Sequence, residues 1–520
     1  MAVAGHSGFM LQTMLFMVNH PWNNSLHRTI HSGTTSTSFN EESRCYGVYG
    51  CFSLGYPWVD EMRPMVYPRS PEQLNVRFPV YNKYAPYTPK YVDVDDPDGD
   101  QQLGIDRKGC LYVIAQGHIT SGTEPWVQRL VNTLLQNDPH GTSSIITVDW
   151  RKASTLGYTQ HASDIRVVGA ITAHMIHMIY EETGMPNLDK VHLLGHSVGA
   201  HLCGYVGYHL QKDFGLQLGR ITGMDPAEEM FFGADPIVRL DNSDAKFVDV
   251  IHGRAEIYQS IGHVDFYPNG GHDQPGCNES MRDHIYQNQD RSCDHMRSPD
   301  LFINAVRRNC SAVAIGCQSF EQFLAGDCFE CNEDGHYCID FGLNAWNSYR
   351  GLIENGVMTV PGQVRAFMIT GEDESYCRNH FRVTLHVSDG EESLVHGGEI
   401  GKLAVEIIGK HRNHSGLMEL SKNPLYFEPG KSYSSVVAGK DVGIPKRVLL
   451  NWEYKKHPGH SRKNWQVTRT PRIYVDHILV QSLGHRSWQK FCPPNREPVK
   501  AVNEDYVRNP VNEFREEYCR

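Results

Sequence analysis

A short segment bounded by two glycines carries the residue best suited to covalent chemistry. The run Gly195-His196-Ser197-Val198-Gly199 follows an apolar stretch and leads directly into a helix-like stretch. A sharp turn from a strand into a helix lifts the serine hydroxyl above the sheet edge, and flanking glycines let neighbouring backbones approach. The helix directs its first amides toward the same point, which favours negative charge there. The motif alone also fits an inert turn serine, but its context favours a nucleophile.

A nucleophilic serine needs a general base, and the base needs an orienting carboxylate. In α/β-hydrolases these residues follow the order Ser, Asp or Glu, and His. Asp225 ends the next strand-like run, "GRITGMDPA" (219–227), and His295 lies further along in "CDHMR" (293–297). Because the chain has 28 histidines, order alone does not single out His295.

A pair of acidic residues lies in the segment "RLDNSDA" (239–245), where Asp241 and Asp244 are three residues apart among turn residues. Carboxylates combined with loop carbonyls are ligands that Ca²⁺ prefers. Acidic turns are also commonly only hydrated, so the spacing by itself leaves both interpretations open.

The cysteines favour an oxidising compartment. The chain has 14 of them, and several form short-range pairs along the sequence. The spacing of Cys328 and Cys331 could also indicate zinc, but a second pair with matching spacing is missing, so disulfides are favoured. Sequons for N-glycosylation, which suit secretion, occur at Asn23, Asn278, Asn309 and Asn413.

The elements that must position these residues alternate between strands and helices. Strand-like runs occupy 110–118, 144–150, 190–196 and 219–226, and a long helical pattern spans 161–182. This alternation predicts an α/β domain with a mostly parallel sheet that helices cover on both faces. We assign it residues 41–364.

The pattern changes near residue 365. Strand-like runs at 380–387, 402–409, 446–454 and 472–483 are separated by polar turns, and no long helix intervenes. This pattern predicts an all-β sandwich over residues 365–520, with residues 354–363 as the hinge before it.

Composition restricts the function further. The chain has 520 residues and a net charge of −11 without a long basic run, which argues against nucleic acid as a partner. The sequence contains no stretch of eighteen apolar residues, so it does not predict a membrane-spanning helix. Residues 1–40 are interpreted as a leader, in which residues 9–18 resemble the core of a signal peptide but lack a preceding positive charge and a clear cleavage site.

Together these motifs are similar to those of the pancreatic lipase family. The resemblance covers roughly residues 44–350, and residues 365–492 resemble the PLAT β-sandwich that follows the catalytic domain in these lipases. The segments that carry it are "DKVHLLGHSVGAH" (189–201), "GRITGMDPA", "VRLDNSDAKFVDVIH" (238–252), "GHVDFYPNGG" (262–271) and "CDHMR".

The resemblance implies an α/β-hydrolase domain with a catalytic triad of Ser197, Asp225 and His295. It implies an oxyanion hole made by the backbone N–H groups of Val198 and His118. The family pattern His-Gly-Phe reads Gln116-Gly117-His118 here. A main-chain donor can survive that change of side chains, but the departure also allows a catalytically silent relative.

Further sites follow from the same resemblance. It implies a structural Ca²⁺ held by the carboxylates of Asp241 and Asp244 and the carbonyls of Pro236 and Arg239, and no organic cofactor. It pairs Cys45–Cys51, Cys277–Cys293, Cys317–Cys328, Cys331–Cys338 and, tying down the C-terminal tail, Cys492–Cys519. It leaves Cys110, Cys203, Cys310 and Cys377 unassigned, and we expect Cys110 and Cys203 to be buried thiols.

The loop between Cys277 and Cys293 corresponds to the lid of these lipases. It has fifteen residues, of which only Met281, Ile285 and Tyr286 are clearly apolar. With the short loop at 252–262, it resembles the family's sn-1 phospholipases. We therefore expect a secreted serine lipase that acts on phospholipid or galactolipid besides triacylglycerol at a lipid interface, with a colipase-like protein as a further partner. An ordinary triacylglycerol lipase and a silent lipid-binding relative are the alternatives.

Overall fold

The computed structural model describes most of the chain after its first 42 residues. The described residues are 43–94, 103–118, 122–151, 157–254, 259–277, 293–307, 312–331, 336–372, 375–455, 471–483, 488–494, 499–500 and 512–519. The described residues form one compact unit. The leader predicted at 1–40 lies outside the described residues. Within the described ranges, no helix combines the length and apolar character that crossing a bilayer requires.

The first domain contains an eleven-stranded sheet whose centre is parallel. In spatial order its strands are β12 (Cys338–Asp340), β11 (Val313–Gly316), β13 (Val364–Met368), β10 (Val264–Pro268), β9 (Ala245–Ile251), β8 (Leu218–Met224), β7 (Val191–His196), β5 (Leu111–Ala115), β6 (Ser144–Val148), β3 (Phe78–Asn82) and β4 (Ala85–Val92). The strands from β13 to β6 run parallel, and antiparallel pairs close both edges. The four predicted central strands are confirmed.

Helices cover this sheet on both faces, as predicted. They are α1 (Pro71–Leu74), α2 (Pro125–Gln136), α3 (Tyr158–Thr183), α4 (Val198–Phe214), α5 (Cys293–Val306), α6 (Phe320–Ala325) and α7 (Ala345–Glu354). Side chains of α3 and α4 share one buried cluster with one face of the sheet. Side chains of α2, α5 and α7 share a second cluster with the other face. Burial on both faces explains why the central strands are mostly apolar.

The second domain is a sandwich of two antiparallel sheets. One sheet has the order β18 (Ser432–Gly439), β14 (Asn379–Val387), β21 (Val475–Ser482) and β22 (Gln489–Phe491). The other has the order β16 (His414–Glu419), β15 (Glu399–Gly409), β19 (Pro445–Tyr454) and β24 (Asn512–Arg515), with β17 (Leu425–Phe427) paired to β15. Inward side chains of both sheets form one core around the fully buried Trp452. The predicted all-β domain is confirmed.

Short elements complete the described part of the chain. They are β1 (Ser43–Cys45), β2 (Cys51–Ser53), β20 (Arg472–Ile473), β23 (Val499–Lys500), α8 (Glu391–His396), and the 3-10 helices Gly47–Tyr49, Pro236–Val238, Asn242–Asp244 and Glu516–Cys519.

The predicted boundary between residues 364 and 365 needs correction. Strand β13 begins at Val364 and pairs in parallel with β10 along its whole length, so it belongs to the large sheet. The sandwich begins with β14 at Asn379. The hinge predicted at 354–363 therefore leads into the last strand of the catalytic domain rather than into the second domain.

All five predicted cysteine pairs are disulfide-bonded in the structure. Cys328 and Cys331 belong to different disulfides, which excludes a zinc site at that spacing. Cys377 also forms a disulfide, and Cys310 lies outside the described residues. Cys203 is a buried free thiol, whereas Cys110 is a free thiol that is only half-buried.

The two domains share an apolar contact. Tyr267 and Phe367 of the catalytic domain lie in one buried cluster with Val436 of the sandwich. Beside it, the buried Nε2 of His380 in the sandwich accepts a hydrogen bond from the backbone N–H of Ile369 at 2.8 Å. Burial lowers the pKa of His380 to about 4, so this acceptor stays neutral at neutral pH.

His380→Gln, which keeps an acceptor for Ile369, is expected to flatten the acid dependence of stability. Unfolded His380 has a pKa near 6.5, above its folded pKa, so it takes up a proton first as the pH falls. The stabilising contribution is therefore complete above pH 6.5 and is lost toward pH 4. Between pH 7 and pH 5, wild type should lose about 2 kcal/mol more free energy of unfolding than the variant. Urea denaturation at both pH values measures this, and equal losses would contradict it.

Candidate active site

Ser197 occupies the single-residue turn between β7 and α4. Its φ is 58° and its ψ is −128°, a conformation that favours glycine and costs a serine conformational energy. The turn is held by a hydrogen bond from the Ser197 N–H to the Met224 carbonyl at 3.0 Å. The residue is 2% exposed. Strand, strained turn and helix together form the nucleophile elbow that the sequence motif predicts.

The glycines around this turn are required by close backbone approach. A Cβ on Gly195 would lie 2.4 Å from the Gly199 carbonyl oxygen, and a Cβ on Gly199 would lie 2.3 Å from the Ala115 carbonyl oxygen. A Cβ on Gly117 would lie 2.8 Å from Cβ of Ser197. Any side chain at these positions would displace the nucleophile or the strand beside it.

Asp225 and His295 form a hydrogen-bonded pair at the same end of the parallel sheet. Asp225 follows β8, the neighbour of β7, and its Oδ2 accepts a hydrogen bond from Nδ1 of His295 in the first turn of α5 at 2.5 Å. Its Oδ1 accepts from the N–H groups of Gly253 and Arg254 at 2.8 and 3.0 Å. Burial opposes ionisation of Asp225, but these hydrogen bonds, led by that from His295, lower its pKa below the usual range.

His196 links this pair to the nucleophile. It directly precedes Ser197, and its Nε2 lies 3.2 Å from the His295 carbonyl oxygen. The two imidazole rings lie 4.4 Å apart, and the ring of Trp126 lies 5.4 Å from that of His196. The structure therefore pairs Asp225 with His295 and places His295 against His196, the residue before Ser197. The sequence analysis did not assign a role to His196, although its place inside the five-residue motif is a signal.

Two backbone N–H groups flank Ser197 as candidates for an oxyanion hole. Val198 is the first residue of α4, and the first N–H of a helix has no acceptor within the helix. His118 follows Gly117, where an added Cβ would lie 2.8 Å from Cβ of Ser197. The His118 ring packs 4.6 Å from the ring of His161 and 5.6 Å from that of Tyr158. This aromatic packing holds the loop that carries the His118 N–H.

Gln116 is the unexpected side chain beside this loop. It is fully buried, and neither its amide oxygen nor its amide nitrogen has a hydrogen-bond partner among the described residues. Burying an amide without hydrogen bonds costs free energy. The departure from the family pattern at this position therefore reduces stability locally.

The candidate calcium ligands lie in one short segment behind the nucleophile helix. Pro236 begins a 3-10 helix that ends at Val238, directly before Arg239, and Asp241 caps the next 3-10 helix, which ends at Asp244. Asp244 is buried, and a Cβ on Gly204 of α4 would lie 2.9 Å from its Oδ2. Burial raises the pKa of Asp244 well above its usual range. A bound cation would offset this penalty, so the hard oxygen donors here fit Ca²⁺.

Other features of this segment limit the site. Oδ2 of Asp241 accepts a hydrogen bond from Nη1 of Arg239 at 3.1 Å, so a cation already lies beside one carboxylate. In the described part of the chain, no group of three or more His, Cys, Asp or Glu side chains could hold a metal. Ca²⁺ would thus depend on the backbone carbonyls of Pro236 and Arg239 as well as on the two carboxylates.

A cleft with a volume of about 320 Å³ opens beside the nucleophile. Its lining comprises Gly117, His118, Glu124, Pro125, Trp126, Arg129, His196, Ser197, Met296 and Asp300. The lid predicted at 278–292 lies outside the described residues. A strained serine, a histidine–carboxylate pair and an adjoining cleft on a parallel sheet define a serine hydrolase of the α/β-hydrolase class.

Comparisons with known proteins agree with this class. The profile of the family described as Lipase matches residues 42–358. Pancreatic lipase-related protein 2 of Rattus norvegicus is 32% identical over 486 residues, which cover 89% of this chain and 95% of that protein. Inactive pancreatic lipase-related protein 1 of Mus musculus is 30% identical, covering 86% and 91%. Pancreatic triacylglycerol lipase of Mus musculus is 30% identical, covering 78% and 86%. The chain belongs to the pancreatic lipase family of carboxylic ester hydrolases.

Proposed function

We propose that this protein is a lipase that hydrolyses ester bonds of glycerolipids through an acyl-serine intermediate formed on Ser197. The observation that carries the proposal is the strained Ser197 turn beside the 2.5 Å pair of His295 and Asp225. Strain of this kind is retained where function requires it. The cleft beside Ser197 provides room for the ester.

In the proposed reaction, the role of each group depends on the charge that it can carry or stabilise. Nε2 of His295 takes the Ser197 hydroxyl proton as the oxygen attacks the ester carbonyl, and Asp225 stabilises the imidazolium. The N–H groups of Val198 and His118 stabilise the oxyanion. Collapse transfers the proton from His295 to the leaving alcohol and leaves the acyl group on Ser197. Water, deprotonated by His295, then releases the fatty acid and restores the serine.

The substrate proposal is phospholipid or galactolipid in addition to triacylglycerol, with cleavage at sn-1. Two features support it. The lid between the bonded Cys277 and Cys293 is short and carries several charges, and charged groups resist burial against lipid. The cleft also has charged residues on its rim. Both features leave a polar head group solvated while one acyl chain enters the site.

One experiment tests this activity and its substrate range. Fatty-acid release is measured from phosphatidylcholine, a galactolipid and triolein side by side, with Ser197→Ala as the control. Hydrolysis of the polar lipids at least as fast as that of triolein supports the proposal. Fast triolein hydrolysis without phosphatidylcholine or galactolipid hydrolysis restores the ordinary triacylglycerol-lipase interpretation.

A silent lipid-binding protein is the second candidate, and Gln116 and His118 are the observation that favours it. If only the backbone at His118 acts, Gln116→His with His118→Phe is expected to change kcat/KM for a soluble ester by less than about tenfold. The two single variants are the controls. His118→Phe alone tests whether the aromatic packing of this loop affects activity. An inactive wild type that this double variant activates would establish the silent interpretation.

Calcium is proposed as a structural ligand that supports helix α4 from behind. Added Ca²⁺ is expected to raise the Tm of the wild type by a few degrees, about 2–3 kcal/mol at a hundredfold excess over Kd. Asp241→Asn with Asp244→Asn should remove this response, whereas the exposed Asp389→Asn should keep it. Differential scanning calorimetry with Ca²⁺, Mg²⁺ and EDTA measures the effect. A calcium response that survives in the double variant refutes the site.

The proposed setting is extracellular, at a lipid surface. The disulfides indicate an oxidising compartment. The sandwich exposes apolar side chains, including Leu394, Val395 and Leu417, each at least 60% exposed. Exposed apolar residues suit contact with an emulsion or membrane surface. A colipase-like protein is proposed as a further partner on the family resemblance alone.

A further inference from the structure

The cleft beside Ser197 has two chemically different parts. One part of its lining is apolar and comprises Pro125, Trp126 and Met296. Its rim carries the ionisable residues Arg129 and Asp300 together with Glu124. An acyl chain suits the apolar part, whereas the charged residues of the rim can contact a polar or charged group in place of water.

Arg129 is held in place by Asp300. Nη2 of Arg129 on α2 lies 2.5 Å from Oδ1 of Asp300 on α5, and the two side chains are 47% and 29% exposed. Only this one nitrogen is engaged. Nε and Nη1 have no hydrogen-bond partner among the described residues. The ion pair therefore orients a guanidinium whose remaining donors are available to an anion, and guanidinium geometry suits phosphate.

Glu124 supplies the opposite charge on the same rim. It directly precedes α2, whose first residue is Pro125, and its side chain is half-buried. Its carboxylate has no ion pair or hydrogen bond within the described ranges. The rim thus presents one cationic donor group and one anionic acceptor group that the described protein residues leave unsatisfied.

We propose that this rim binds a zwitterionic phosphocholine-type head group, with the phosphate at Arg129 and the ammonium at Glu124. The proposal deepens the proposed function and rests on it for the reaction. A triacylglycerol has no charge to satisfy either residue. A sugar head group could accept and donate hydrogen bonds but would not neutralise the two separated charges, so the zwitterion is favoured.

Binding is tested without turnover, in the full chain carrying Ser197→Ala. Isothermal titration calorimetry compares monomeric dodecylphosphocholine with monomeric dodecyl maltoside, which have the same chain and different head groups. Arg129→Gln is expected to weaken dodecylphosphocholine binding about tenfold, the loss of a charge-assisted hydrogen bond. Glu124→Gln should weaken it about threefold, since the site is partly exposed. Neither should alter maltoside binding by more than about twofold.

Arg350→Gln is the matched control. Arg350 is also an exposed helix arginine in an ion pair, with Glu354, but lies on α7 and does not line the cleft. It should leave both ligands unaffected. Dodecylphosphocholine binding that is unchanged in Arg129→Gln overturns the proposal. Maltoside binding that depends on Arg129 and Glu124 also overturns it and makes the rim a sugar site.

Rates of hydrolysis distinguish a failure of the head-group proposal from a failure of the proposed enzymatic function. In the chain with Ser197 intact, Arg129→Gln should lower kcat/KM for short-chain phosphatidylcholine about tenfold and leave tributyrin within about twofold. An equal loss on both esters means that Arg129 supports catalysis generally, which overturns the head-group role. If wild type hydrolyses neither ester, the enzymatic function fails, and the calorimetric comparison still decides the head-group site.

Discussion

Ser197→Ala is expected to lower kcat for a soluble ester by about 10⁴-fold or more, because no acyl-enzyme can form without the hydroxyl. The backbone conformation at this position is strained for alanine as for serine, so the turn should be retained. Release of p-nitrophenol from p-nitrophenyl butyrate measures the rate, and burst kinetics measure the acyl-enzyme.

The matched control is Ser434→Ala, an exposed serine in the sandwich. It removes a hydroxyl of the same kind and should leave the rate unchanged. Normal hydrolysis by Ser197→Ala would remove Ser197 from the mechanism. An equal loss in Ser434→Ala would show that the loss reflects folding rather than chemistry.

Asp225→Asn is expected to cost nearly as much, about 10⁴-fold in kcat. The amide can still accept the backbone hydrogen bonds of Gly253 and Arg254, so the site should remain folded. If the amide nitrogen faces Nδ1 of His295, it favours the tautomer with the proton on Nε2, which cannot take the serine proton. Steady-state kinetics and thermal unfolding of the same preparation measure the two effects.

The chain offers a close control for this variant. Asp265 also accepts a hydrogen bond from a buried histidine, His252, and two from the backbone N–H groups of Ile261 and Gly262. Asp265→Asn therefore removes the same kind of carboxylate from the same kind of pair. It should lower stability but reduce kcat by less than about tenfold. A greater loss of kcat in Asp265→Asn than in Asp225→Asn would assign the catalytic carboxylate to Asp265 instead of Asp225.

The sequence predicts most of this fold because its strongest patterns are local. The central strands β5 to β8 are short and mostly apolar, and the sandwich strand β14 alternates between buried and partly buried residues. Strand β13 was assigned to the wrong side of the domain boundary. Its five residues fit either sheet, and pairing with β10, about a hundred residues earlier, and with β11 places it in the first domain.

The same difference between local patterns and long-range contacts applies to the candidate site. Ser197 could be predicted because the glycine spacing is a local signature of the turn. His295 could be chosen among the histidines only through the family resemblance, since α5 brings it to Asp225 across 70 residues. His196 and the pair of Arg129 and Asp300 were missed because their partners lie on other elements. The motif around Ser197 draws attention to His196, but nothing in the sequence nearby identifies the partners of these three residues.

The backbone conformation of Ser197 lowers the stability of the fold, whereas the proposed reaction needs the serine hydroxyl at this position. A glycine would adopt the same φ and ψ without strain, so selection for a durable fold alone would replace the nucleophile. In a lineage that no longer needs turnover, replacement of Ser197 by glycine would abolish activity and raise the stability of the fold. A serine at this position therefore lowers stability relative to glycine, and its hydroxyl is the group that would have to compensate for that loss through function.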